Sequence, residues 1–337
     1  RFLKDYLLLL LARRNGERMR PLTTTTIGSF PLSPSLEDFK RSLEVQVKAG
    51  IDYPALPQLE DFCAIFLNDV VERGRGVEKR GRDYVLTGPI EPPREPAIAR
   101  DLASASKIIK GLGFEGNIKA QVTGPFTLSS VVKLLDKSAM SYPDVVESFA
   151  DALAYILSSI ACFEAVEVVF VDEPALYYAL WYGYEEKFAI DVLNRTFRDL
   201  SRGIERGLHV CGDVRGLSRV TLKLNVDVLH HEFAGFPKNF EAYSPAELAR
   251  ANKLLGVGAV TTKPLDSEVK VESAQEVEEL LRRAMKLYGP RVVVAPDCGF
   301  RGLAELMKGD EAMNVVFQKL KSMVEAVQRI RREMDLR

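Results

Sequence analysis

The sequence predicts an α/β fold: a single (β/α)8 barrel with one inserted excursion after its second strand. Three observations lead there. From Met19 onward, short β-branched runs alternate with longer segments of helical periodicity. Eight strand-like runs occur, the number that closes a barrel. Nearly every run ends in a polar or metal-binding side chain, which is where barrel enzymes carry their chemistry. An open doubly wound sheet is the competing arrangement. It is disfavoured because no G-x-G-x-x-G follows the first strand.

The elements follow in order. Residues 23–27 read as the first strand and 35–49 as a helix. Ser35 suits its N-cap, and Glu37 and Asp38 put acids in the first turn. Residues 52–56 read as a second strand, followed by a helix through Phe62, Ile65 and Phe66. Residues 73–96 break the pattern with Gly74, Gly76, Gly81, Gly88, Pro89 and three further prolines, and read as an excursion at the barrel mouth. Strands three to eight are expected at 117–122, 166–171, 208–211, 226–230, 254–260 and 291–295. The fourth contains VVFV, an apolar run suited to a parallel sheet buried on both faces. Further helices are expected at 143–163, 186–206, 273–288 and 310–334. Residues 1–18 stand apart as a charge-flanked leucine run ending before Met19. They read as an upstream extension, with Met19 the natural start, or else as a short amphipathic helix packing on the barrel or a partner. No small-residue cleavage site follows, so a signal peptide is not expected.

Bulk properties exclude several classes. Lys+Arg is 46 against 47 Asp+Glu, so no basic surplus points to nucleic acid or an anionic membrane. The longest apolar run, 6–12, is too short to cross a bilayer. Four cysteines without paired local spacing suit a reducing, cytoplasmic setting.

Four residues carry the most chemistry: His209, Cys211, Glu232 and Cys298. His209 and Cys211 are two apart on a strand, so they face the same way. Glu232 ends the next strand and Cys298 follows the last. Imidazole, two thiolates and a carboxylate make a borderline-soft tetrahedral set suited to Zn2+. Their dispersal over separate strand ends marks a catalytic site, since structural zinc favours tight C-x2-C knuckles. Cys63 and Cys162 sit beside apolar neighbours and read as core. His230 and His231 alternate in direction; one can brace a metal ligand, while the plainer expectation for each is a satisfied structural histidine.

Beyond these ligands, the strings TTTIGSFP (24–31), TGPFT (123–127), VDEPAL (171–176), HVC (209–211) and PDCGF (296–300) occur in that order. With Glu232, they make the chain resemble the catalytic barrel of the cobalamin-independent methionine synthase family, in the short stand-alone form typical of archaea. The resemblance implies a methyltransferase of methionine biosynthesis. In it, His209, Cys211, Glu232 and Cys298 would hold zinc, and homocysteine would give its thiolate to a donor methyl group. It also implies that Ile27, Gly28 and Ser29 hold the homocysteine carboxylate and that Asp172 binds its ammonium group. Gln58 lies nearest the family's further homocysteine-contacting acid.

The pattern departs from the family on the methyl-donor side. Val131 stands where the full-length family has a folate-holding tryptophan, and Tyr178 where it has a folate-contacting acid. Lys263 falls at the position of the histidine proton donor, which makes it the candidate catalytic group; its plain alternative is a solvated loop lysine. A methylated corrinoid, carried by a partner protein, is therefore slightly favoured over methyltetrahydrofolate as donor. Three other readings remain: a sibling zinc thiol alkyltransferase of the coenzyme M/epoxide type, a metal-free barrel of the uroporphyrinogen decarboxylase type, and a non-enzymatic zinc-binding partner of a methyl-transfer complex.

Overall fold

The computed structural model describes residues 19–201, 203–263 and 269–335. The expectations for residues 1–18 fall outside the described residues. Ten strands are assigned among those described. A hairpin, β1 (Arg75–Arg80) and β2 (Asp83–Glu91), extends from the helix Phe62–Arg73. Then come β3 (Ile118–Thr123), β4 (Val132–Leu134), β5 (Lys137–Ser138), β6 (Val166–Asp172), β7 (Glu205–Val210), β8 (Val228–Glu232), β9 (Leu254–Gly258) and β10 (Val292–Ala295).

Six of these form one sheet in the order β10-β9-β8-β7-β6-β3, every pair parallel. The first two expected strands are extended segments that make single bridges only. Thr24 bridges Val294 of β10, Thr25 bridges Tyr53, and Ala55 bridges Lys119 of β3. Backbone bonds from Thr25 N to Val294 O (2.9 Å), Tyr53 N to Thr24 O (3.0 Å) and Leu56 N to Lys119 O (2.9 Å) carry the ring from one sheet edge to the other. The expected excursion is the β1–β2 hairpin, which continues through β4 and β5 as a second four-stranded sheet.

Helices cover the outside of the barrel. Ser35 caps Leu36–Ala49 by accepting from Asp38 N, and Ser273 closes a capping box with Glu276 on Ala274–Tyr288. The long C-terminal helix, Gly309–Glu333, buries Val316, Leu320, Met323 and Val327. Two expectations need correction. The helix expected at 186–206 ends at Thr196, and β7 begins at Glu205. Its first residues, Glu-Arg-Gly, look unlike a buried strand, yet Glu205 is buried and accepts from Met19 N. Cys162 is exposed, not core: it lies beyond the end of the helix Pro143–Ile160, its thiol on Ser158 O at 3.6 Å.

The interior of the barrel is a small apolar cluster of its own: Met19, Val168, Phe170, Val228, Leu254 and Val293. The period-two alternation of a strand then places His230 and Glu232 above Val228, and Asp172 above Phe170, on the same inward face. Glycines make the room. A Cβ on Gly207 would lie 2.1 Å from the Phe170 ring, and one on Gly256 would lie 2.7 Å from His230 Cβ. An apolar floor thus supports a polar layer at the C-terminal strand ends.

Candidate active site

Three of the four expected metal ligands converge. The ligating atoms of His209, Cys211 and Cys298 all lie within 4.8 Å of one another. His209 Nε2 is 2.9 Å from Cys211 Sγ, which is 3.1 Å from Cys298 Sγ. Neither cysteine is in a disulfide. The hydrogen bond from Cys211, aided by His209 and Lys263, holds the Cys298 thiol well below its ordinary pKa. That favours the thiolate a metal needs. Nitrogen and sulfur donors so grouped, beside an acid, fit zinc. The acid, Glu232, is buried at the end of β8 but is not one of the trio. Its Oε1 accepts from Lys263 Nζ at 2.7 Å.

A set of partners that the sequence reading missed braces these strand ends. Asp297, next to Cys298, accepts from the backbone N–H groups of Phe233 (2.9 Å), Ala234 (3.1 Å) and Gly235 (2.6 Å). It thereby ties the segment after Glu232 to the one bearing Cys298. Asn239 Nδ2 donates to Gly212 O and Glu232 O, both at 2.8 Å, joining the loop after Cys211 to β8. Lys319 and Glu272 form a buried pair at 2.7 Å, and Glu272 also accepts from Thr261 N at 2.9 Å, two residues before Lys263. In the sequence only the adjacency of Asp297 to Cys298 hints at any of this.

The two neighbouring histidines divide. His230 faces inward, its Nδ1 2.7 Å from His209 Nδ1. His231 faces the helices and is satisfied by Val210 O (3.2 Å) and the Tyr243 hydroxyl (2.7 Å). The neighbouring acids divide likewise. Glu173 is fully buried and accepts from Phe126 N (2.9 Å), Thr127 N (2.8 Å) and Thr127 Oγ1, at the start of the helix Pro125–Val131. It is a structural clamp. Asp172 Oδ1 is buried with no hydrogen-bond partner among the described residues, and burial lifts its pKa to about 6.

The segment expected to hold a carboxylate lies against the cysteine loop. Ser29 O accepts from Phe300 N at 2.8 Å, and a Cβ on Gly299 would lie 1.8 Å from Ser29 Oγ. Gly28 adopts φ +123°, a conformation open to glycine, and its carbonyl accepts from Gln58 N at 2.8 Å. Ser29 and Gln58 form a bridge. Ile27 O accepts from Lys119 Nζ at 3.3 Å. Lys119 is completely buried on β3, and burial lowers its pKa to about 8. A cleft of about 810 Å³ opens here; Ser29, Phe62, Thr262, Lys263, Cys298 and Arg301 line it. The donor-side positions Val131 and Tyr178 are exposed, 44% and 59% respectively, as are Tyr177, Trp181 and Tyr182.

With this arrangement in view, comparison with known proteins is decisive. Residues 90–329 match the family described as cobalamin-independent synthase, catalytic domain. The chain belongs to that family. As a member it is a methyltransferase. It is 27% identical to a methionine synthase of Methanocaldococcus jannaschii, over 92% of this chain and all of that one. It is also 27% identical to a methionine synthase of Methanothermobacter thermautotrophicus, over 90% and 99% of the two. Its fold matches the B12-independent methionine synthase from Shewanella sp. W3-18-1 in complex with selenomethionine. There the TM-score is 0.69 at 20% identity, over 93% of this chain and 98% of that one. Among the described residues, no helix is long and apolar enough to cross a membrane.

Proposed function

We propose that this protein is a zinc-dependent homocysteine S-methyltransferase that makes methionine. His209, Cys211 and Cys298 would hold the ion, with Glu232 as fourth ligand. The observation that carries this reading is the convergence of one imidazole and two thiols, from the ends of β7 and β10, beside Ser29. When bound, zinc supplies the positive charge that strips the proton from a substrate thiol, whose free pKa is roughly 8.5.

The chain's own groups do the rest. Ile27, Gly28, Ser29 and Gln58 form the backbone-rich seat for the amino-acid carboxylate. Asp172, buried and unpartnered, takes the ammonium. Lys263 holds the Glu232 carboxylate and would tune how strongly that acid holds the ion; proton donation by Lys263 stays part of this reading. Asp297 and Asn239 hold the ligand-bearing loops in register. A coenzyme M-type thiol has no ammonium to engage Asp172, and a metal-free decarboxylase has no use for paired thiols, so both alternatives suit the site less.

The favoured methyl donor is a methylated corrinoid on a partner protein. The support is that Val131 and Tyr178 leave exposed apolar and aromatic side chains where a folate would need a tryptophan and an acid. The free cysteines suit a cytoplasmic setting. The test is direct: incubate the zinc-loaded protein with homocysteine and either methylcobalamin or methyltetrahydrofolate, and measure methionine. Turnover with methylcobalamin is expected; no methionine from either donor would reject the assignment.

A further inference from the structure

Two buried acceptor atoms near the proposed carboxylate seat have no donor among the described residues. One is Asp172 Oδ1 and the other is Gln121 Oε1. Gln121 is completely buried on β3, between Lys119 and Thr123 along the strand. Its Nε2 donates to Leu56 O at 2.6 Å. Leu56 O can only accept, so this bond fixes which end of the amide carries the hydrogens. The oxygen is left without a partner.

The amide lies against Gly28. A Cβ there would lie 2.2 Å from Gln121 Nε2 and 2.8 Å from its Cδ. β3 and β6 run side by side, with Thr123 opposite Asp172 and Gln121 opposite Phe170. Gln121 and Asp172 are thus diagonal neighbours across one strand pair. Lys119, the nearest cation on β3, gives its hydrogen bond to Ile27 O instead.

A buried acceptor left unpaired is costly, and natural sites keep such atoms for a ligand that supplies the donor. In an α-amino acid, ammonium and carboxylate share one carbon. An ammonium whose carboxylate sits on Ile27–Gly28–Ser29 must therefore lie within reach of a group packed against Gly28. We infer that Gln121 Oε1 and Asp172 Oδ1 together form the seat for the substrate's α-ammonium. Gln121 is then a second specificity residue for an amino-acid thiol. The inference rests on the homocysteine reading above and adds a residue to it.

The experiment is calorimetric titration of the zinc-loaded protein with homocysteine and with 4-mercaptobutanoate, which lacks only the amine. The intact protein is expected to bind homocysteine at least about tenfold more tightly, the scale of one hydrogen bond to a charged group. Gln121→Met should weaken homocysteine about tenfold and leave 4-mercaptobutanoate unchanged. Equal weakening of both thiols, or an unchanged ratio, overturns the inference, because a merely structural glutamine would act on both alike. Gln121→Leu, which also removes the acceptor, decides the matter should the methionine variant fail to fold. It should lower the ratio as the methionine variant does, and an unchanged ratio again overturns the inference. If the intact protein itself shows no preference between the two thiols, it is the amino-acid reading of the cleft that falls.

Discussion

The two sides of the barrel mouth are built on opposite terms. On the side of β7, β8 and β10, three of the four expected ligands contact one another and their loops are cross-braced by Asp297 and Asn239. On the side of the opening segment, β3 and β6, the structure leaves Gln121 Oε1 and Asp172 Oδ1 buried and unpartnered. The first side is organised largely around its own groups, with His230 Nε2 and Thr262 Oγ1 left over, and under the proposed function it takes the ion. Under the same proposal the second completes its hydrogen bonding when the substrate zwitterion arrives. One region therefore tolerates little change in shape, while the other expresses its purpose in the affinity of a particular substrate.

Substitutions should separate the two sides. The largest effect is expected at the thiols: Cys211→Ser or Cys298→Ser should abolish stoichiometric zinc and lower activity more than about 100-fold, with the fold retained. Metal analysis and circular dichroism on the same sample check this; full zinc retention in both variants would break the comparison. Next, Asp172→Asn should raise the KM for homocysteine by about tenfold or more while zinc content stays at one per chain. A fall in zinc content with unchanged KM would place Asp172 on the metal side instead. Asp297→Asn comes third. It keeps the shape but turns an amide N–H₂ toward backbone donors, and zinc affinity should fall about tenfold, measured by competition with a chelator.

The smallest effect on turnover is expected at Glu173, a structural acid beside a functional one. Burial raises its pKa from 4.5 to about 7. The folded chain then holds a proton on this group that the unfolded chain has released between those values. Its stabilising contribution is full below pH 4.5 and declines by about 3 kcal/mol as pH rises to 7. Glu173→Gln should lower stability at every pH, because its N–H₂ faces a backbone donor, and flatten that part of the stability–pH curve, followed by urea denaturation, while the KM for homocysteine stays unchanged.

The barrel was legible because a parallel sheet covered on both faces must be apolar throughout. VVFV, LLGVG and VVVA announce β6, β9 and β10 with no help from their surroundings. The failures have equally definite causes. β7 opens on charged residues because Glu205 takes a backbone N–H from Met19, a partner 186 residues away. Cys162 has apolar neighbours in sequence but lies past the end of its helix. Among the site residues, the cysteines, His209 and Glu232 could be read from their types at strand ends. Lys119 and Gln121 could have been noticed as polar residues alternating within an otherwise apolar strand, IKAQVT. Asn239 could not, because its role lies wholly in which distant carbonyls it meets.

The two sulfur atoms 3.1 Å apart carry a hazard as well as a use. Cys298 also faces a cleft that admits small molecules. An electron-rich sulfur with a second sulfur at its side is the arrangement that peroxide converts first to a sulfenic acid and then to a cross-link. A zinc ion held there, as proposed, would thus also be a chemical shield. A preparation stripped of it in air should inactivate by oxidation well before it unfolds, and a thiol reductant added ahead of the metal should bring it back.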